Sequence, residues 1–338
     1  MDVREFTTGR ILVPLLFLAL GLIESIHRLV QIRVGYIDLF VDARAVWKPA
    51  AHAVLTGTPL YIGHATDNKP PLWQFLNVLV GLTGHYTAVF TLLVGIANAT
   101  AAILIWRYLR LAGYEKIGIL SGVLLLSMIP VVQGRVINVR SFAVIGILVA
   151  LQVRHPFLKG LAVGSAALMS QYGILAGIPI LWTLLNRREG RWRDASLFIL
   201  GGAVLCLVSY LLVYFMWGPD SFVAAVRNSI LISGHYATQS AKYTLWETPL
   251  VWGGGILRVV LGSLYVFLPA ALTARYEVSG RTADPIPLLS IVAVTLLLPL
   301  LVRSFQVYWI YPLPFLAALG AFGYDLFFSE GIPGVLSD

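Results

Sequence analysis

Cysteine is almost absent from this sequence, and charge is scarce. The single Cys206 lies inside an apolar run of the 338-residue chain. That excludes an intrachain disulfide and a cysteine-built metal site, and leaves a small buried hydrophobe. Only 12% of the residues are Asp, Glu, Lys or Arg, about half the soluble average, while 58% are hydrophobic and the mean hydropathy is +0.83. A water-soluble domain is excluded by these values. They predict an all-α polytopic membrane protein whose helices share one bilayer-embedded domain over 1–338. Also missing are a repeat at a fixed period, a low-complexity tract, a His-x-x-x-His pair, a P-loop and a Gly-x-Ser-x-Gly element.

The charge that is present is basic, with a net +8. It punctuates apolar runs, as Arg187, Arg188, Arg191 and Arg193 do, which is the pattern of cytoplasmic loops rather than of a nucleic-acid surface. Nucleic acid is therefore set aside as a partner, and membrane lipids take its place. About ten transmembrane helices are predicted. The first runs from Arg10 to Val30, a basic start with no convincing small-residue cleavage site after it. Pro70-Pro71 opens a short second helix to Thr83, and a third spans Tyr86 to Leu109. Next come Ile117 to Val132, Phe142 to Val153, Phe157 to Leu185 and Ala195 to Trp217. The last three are one ending at Ala274, one over Pro287 to Val302, and one over Tyr308 to Phe328.

With the N-terminus inside, this count puts Arg135, Arg140, Arg187 to Arg193, Arg275 and Arg281 in the cytoplasm, and two polar inserts, about 34–70 and 218–248, outside. It leaves Arg107, Arg110, Lys116, Arg154 and Lys159 on the wrong face. Either those side chains hold something anionic, or a short helix nearby does not cross.

The first insert, IDLFVDARAVWKPAAHAVLTGTPLYIGHATDNKPPL, cannot span a bilayer, because Asp38, Asp42, Arg44, Lys48, His52, His64, Asp67 and Lys69 are each costly in hydrocarbon. Residues Asp42 to Leu55 read as a helix on the membrane surface, with Val46, Pro49 or Ala50, Ala53 and Val54 near helical spacing and Thr56-Gly57-Thr58-Pro59 as its stop. Spacing alone leaves Asp42 balanced between helix capping and catalysis. Asp67 reads equally as turn chemistry before a proline-initiated helix. Arg44, His52, His64 and Lys69 are candidate phosphate partners, although a solvated loop charge is the default for each. The second insert adds Arg227, His235 and Lys242, and Arg303 closes the ninth helix, where an ordinary snorkelling arginine also fits.

The order Asp42, Trp47, Ala50, Leu55, Gly57, Pro59-Leu60-Tyr61, Pro70-Pro71-Leu72 resembles the first outer loop of the GT-C superfamily of integral-membrane glycosyltransferases. Gly134 to Asn138, Gly160-Leu161-Ala162, Pro179 and the Arg187 to Arg193 loop are similar to a motif series of glycosyltransferase family 87. In that series Arg135 stands where glutamine is usual, and Gln171 near an expected lysine. The resemblance implies an inverting hexosyltransferase, mannose first, with a polyprenyl-phosphate or dolichyl-phosphate sugar donor and a glycan or lipid-linked acceptor on the extracytoplasmic face. In that superfamily an acidic residue just after the first helix is the catalytic centre, which makes Asp42 the general base, with Asp38 in reserve; the substrate set read from the two inserts and the ninth helix is Arg44, His64, Asp67, Lys69, Arg227, His235, Lys242 and Arg303. Cofactors are none and metal is none by the same resemblance, though Asp38 and Asp42, one helical turn apart, are a pair magnesium accepts. The competing class is a transporter or lipid flippase, against which the missing internal repeat counts.

Overall fold

A computed structural model describes residues 3–37, 42–128, 139–187, 189–231, 248–278, 285–302 and 304–336. The described residues hold fourteen α-helices and no strand. Three helical segments are long and apolar enough to cross a membrane, Arg10–Arg33, Tyr86–Leu111 and Arg191–Trp217. A fourth is added if the pair Pro249–Gly262 and Leu264–Glu277 counts as one span. A helical membrane protein is what these features describe; ten separate spans is a finer count than they carry.

The path of the chain follows from a few contacts. Helix α1 (Val3–Arg33) packs antiparallel on α4 (Tyr86–Leu111): the Ser25 hydroxyl donates to the Thr91 carbonyl at 3.0 Å, and lower down Gly21 faces Gly95 and Ala99. Small residues permit this approach, since a Cβ on Gly95 would lie 1.9 Å from the Ser25 hydroxyl oxygen. Arg33 and Tyr86 therefore share one end of the bundle. The described residues between them, including α2 (Lys48–Leu55) and α3 (Pro71–Leu82), start and finish there. The short helix expected as the second span does not run the length of the bundle. It pairs with α2, as the Asn77 amide donating to the Trp47 carbonyl at 2.8 Å records.

From that end α4 descends, and α5 (Glu115–Ser127) returns beside it, with Gly118 against Trp106. Helix α6 (Arg140–Gln152) runs parallel to α4, from Phe142 stacked on Phe90 to Gln152, whose amide donates to the Leu104 carbonyl at 3.1 Å. Helix α7 (Pro156–Met169) climbs back, Lys159 donating to the Ala150 carbonyl at 2.9 Å. The single helix expected over Phe157 to Leu185 is then broken. Ser170 is extended, Gln171–Ala176 forms a 3-10 turn folded back on Ala166, and α8 (Gly177–Leu185) descends again. Helix α9 (Arg191–Trp217) rises against α7, with Gly160 and Gly164 set against Phe198 and Gly202. The remaining helices are α10 (Pro219–Val226), α11 (Pro249–Gly262), α12 (Leu264–Val278), α13 (Ile286–Val302) and α14 (Leu313–Leu336). The helix expected to end at Ala274 is two pieces, α11 and α12, bent by 92°.

One consequence corrects the charge map. Arg107, Arg110, Lys116, Arg154, Lys159, Arg187, Arg191 and Arg193 all gather at the end opposite the inserts, because α3 and the 170–176 turn reverse the chain instead of crossing. Arg140 moves the other way. Expected beside the cytoplasmic arginines, it lies at the insert end with its guanidinium 4.6 Å from the Tyr308 ring.

Candidate functional site

Residues Ala43–Trp47 form a π-helical turn that runs into α2. A wide turn of this kind adds a residue to the helix, re-aims the side chains that follow and recurs at functional positions. The expected helix over Asp42 to Leu55 is there, but its buried stripe is Ala43, Trp47, Ala50 and Ala51 rather than Val46, Ala53 and Val54. That stripe packs on Trp73, Val80, Tyr86 and Phe90, with the Trp47 and Trp73 rings edge to face at 4.9 Å. Asp42 stands at the head of the turn, itself helical at φ −63° and ψ −39°, and its carboxylate makes no capping hydrogen bond. Helix capping, the bland account of this residue, does not describe it.

Below Asp42 the segment 56–70 doubles back. Tyr61 is the one non-glycine among the described residues with a left-handed backbone, at φ +68°. It is held there by its own contacts: its N–H donates to the Ala65 carbonyl, its carbonyl accepts from the Thr66 hydroxyl, and its phenol donates to the Lys69 carbonyl at 2.7 Å. Such strain persists only where the surroundings over-determine it. Here the result is a fixed perch for Asp67, which is buried and accepts from the Asn68 N–H at 2.7 Å and the Gln74 amide at 2.6 Å. Burial raises the Asp67 carboxyl above the ordinary carboxylate range; Lys69 and the two hydrogen bonds oppose the shift, and the Asp42 charge adds to it. Asp42 and Asp67 thus feel one another. The first is partly exposed and lacks hydrogen bonds and ion pairs among the described residues, whereas the second is enclosed and held.

Ala225 of the second insert shares a buried cluster with Leu60 and Tyr61 of the first, and one further side chain bridges the two. The Gln171 amide donates to the Asn68 carbonyl and, at 3.4 Å, to the Ser229 carbonyl. Ser229 belongs to a second π-helical turn, Arg227–Leu231, and its hydroxyl meets the Tyr210 phenol at 2.6 Å. Next to Gln171, the Ser170 hydroxyl accepts from the Tyr311 phenol at 2.5 Å, and Arg140 is buried over Tyr308. An apolar cavity of about 280 Å³ leads away from this place between α6 and α7, from Phe142 and Met169 down to Val149 and Ala162.

The fate of the sequence-predicted residues follows. Asp42, Asp67 and Lys69 come together, and the Lys69 ammonium donates to the Asn68 side chain at 2.9 Å. Arg44 and His64 are exposed on the first insert, and Arg227 is exposed at the start of the second π turn. Asp38, His235, Lys242 and Arg303 lie outside the described residues, as do Arg135 and Asn138. Gln171, Ser170, Arg140, Tyr308 and Tyr311 join the site without having been chosen for it. Among the described residues no three His, Cys, Asp or Glu side chains gather as a metal would need. No family model, curated protein or solved structure matches the chain.

Proposed function

We propose that this chain is an integral-membrane glycosyltransferase of the GT-C kind. It moves a hexose, mannose first, from a polyprenyl-phosphate donor to a glycan or lipid-linked acceptor at the insert end. Asp42 takes the proton of the acceptor hydroxyl as that oxygen forms its bond to the anomeric carbon; the bond from that carbon to the phosphate oxygen breaks, and the lipid phosphate leaves with the electron pair. One face of the sugar is attacked as the other is vacated, so the configuration inverts. Lys69, Arg140 and Arg227 supply positive charge for the departing phosphate. Asp67 positions the loop that carries Lys69. The basic end is cytoplasmic by the charge rule, which puts the inserts on the extracytoplasmic face.

The observation that carries this reading is the pairing of an uncommitted carboxylate, Asp42, with an enclosed and hydrogen-bonded one, Asp67, where both inserts meet. A base must be free to take a proton, and its surroundings must be fixed. The apolar cavity between α6 and α7 suits a lipid-borne donor. The test is transfer of radiolabelled mannose from polyprenyl phosphate by the purified chain in liposomes. Label appearing in acceptor with release of the lipid phosphate, and lost in Asp42→Asn, supports the reading; label carried across the bilayer still joined to its lipid identifies a flippase instead.

A further inference from the structure

Between Ala43 and Thr66 the first insert has Arg44, Lys48, His52 and His64 and no acidic residue at all. All four side chains are exposed, and Arg44, Lys48 and His52 recur every fourth residue. In an unbroken α-helix that spacing drifts by about 40° around the axis at each step. The π turn Ala43–Trp47 needs more residues for each revolution, so it takes the drift out of the first step and brings Arg44 into line with Lys48. Burial follows the same division. Ala43, Trp47, Ala50 and Ala51 are enclosed, whereas Arg44, Ala45, Lys48, Pro49 and His52 face outward. The result is a straight row about 12 Å long, eight residues at about 1.5 Å each, with Asp42 at its head.

Orientation in the membrane does not explain the row, because the orienting charge gathers at the opposite end of the bundle. Rest on a bilayer surface does not explain it either. A helix lying on lipid turns its apolar side to the acyl chains, and here that side is occupied by Trp73, Val80 and Phe90. Leu55, 39% exposed, is the one large apolar side chain left on the outer face. The Lys48 ammonium and the His52 ring make no hydrogen bond or ion pair among the described residues. Evenly spaced donors along a polar face fit a chain that repeats negative charge. Because the row begins at Asp42, one end of such a chain reaches that carboxylate.

We propose that the outer face of α2 and its π turn binds an anionic glycan, whose acidic groups lie on Arg44, Lys48 and His52. Calling that glycan the acceptor rests on the transferase reading; under it, the hydroxyl that receives the sugar is the one at the Asp42 end.

The experiment titrates the full chain, in nanodiscs of phosphatidylcholine, with fluorescein-labelled oligogalacturonate and with a labelled glucose oligomer of equal length. The carboxylate-bearing oligomer should bind about tenfold more tightly or better, and the advantage should shrink as salt is raised. Lys48→Gln should weaken its binding about fivefold, the upper range for an exposed ion pair. Lys48→Gln with Leu82→Lys returns the charge to an exposed position off the row, and binding should stay weak. Equal binding of the two oligomers, an unchanged Lys48→Gln, or recovery in the double variant each overturns the proposal. In discs that also hold phosphatidylglycerol, a loss of that lipid from Lys48→Gln by native mass spectrometry overturns it too, since the row would then lie on the leaflet. Lys48-dependent binding without any mannose transfer supports the site and removes the transferase reading alone.

Discussion

The two ends of the bundle use charge in opposite ways. At the basic end the side chains stand in solvent: Arg107, Lys116, Arg154, Arg191 and Arg193 are exposed, and the Arg187–Asp194 pair at 2.9 Å has its arginine half uncovered. Pairs of that kind are worth little to stability, and their effect is to orient the chain in a membrane. At the insert end Asp67 and Arg140 are buried and answered by amides, hydroxyls and rings. Solvated charge can be moved along a loop with small consequence. Enclosed charge fixes the position of everything that touches it, and that is the property a reaction centre requires.

The sharpest break would come from labelling. In a Cys206→Ser background, His64→Cys should react completely with an impermeant thiol reagent outside intact cells, while Lys116→Cys and Arg154→Cys stay protected until the membrane is opened. Reaction of the last two from outside would restore a crossing α3 and undo the two-ended picture.

Next in size is the rate. Asp42→Asn should leave a folded protein that transfers about 10²-fold or more slowly. Near-normal transfer would remove Asp42 as the base.

Asp67 separates enclosed from solvated charge most directly. Asp67→Ala strands the Gln74 amide and the Asn68 N–H, at a cost of about 2–3 kcal/mol in denaturant titrations. Asp67→Asn should be far milder, because Gln74 can turn its unsatisfied carbonyl oxygen toward the new amide. The pH dependence has a definite sign. Since the folded-state pKa lies above the ordinary 3.8, the stabilisation is complete below that value and is lost as pH rises through the raised one. Melting of the wild type should therefore fall across that window, and melting of Asp67→Asn should not. The smallest effect belongs to Gln171→Ala, which removes one tie between the inserts and leaves the packing of Ala225 with Leu60 and Tyr61: amide exchange in 227–231 should quicken about fivefold, the equivalent of about 1 kcal/mol.

Much of the helical layout is legible in the chain itself. Apolar runs bounded by Gly, Pro and charge place α3, α4, α6, α9 and α13 to within a few residues, since hydropathy and breakers are local properties, while α1 starts seven residues before the expected Arg10. Which of those helices cross is not local. The twelve residues of α3, apolar except for Gln74 and Asn77, look like a short span until Trp47 and Asn77 are seen to join across thirty positions. The five basic residues on the wrong face were the available signal, and they pointed to a reversal without saying where. In the site, Asp42, Asp67 and Lys69 are adjacent enough in sequence to be suspected together. Gln171 meets Asn68 over 103 positions and Tyr311 meets Ser170 over 141, and no spacing rule connects them.

The edge-to-face pair of Trp47 and Trp73 gives the molecule a built-in optical gauge. Both indoles are enclosed directly behind Asp42, 4.9 Å apart, a separation at which their transitions couple and produce a signed near-ultraviolet circular dichroism band. Any tilt of the π turn changes the angle between the rings before it moves the carboxylate far. Movement around Asp42 can thus be followed in unmodified protein, with light and without any ligand.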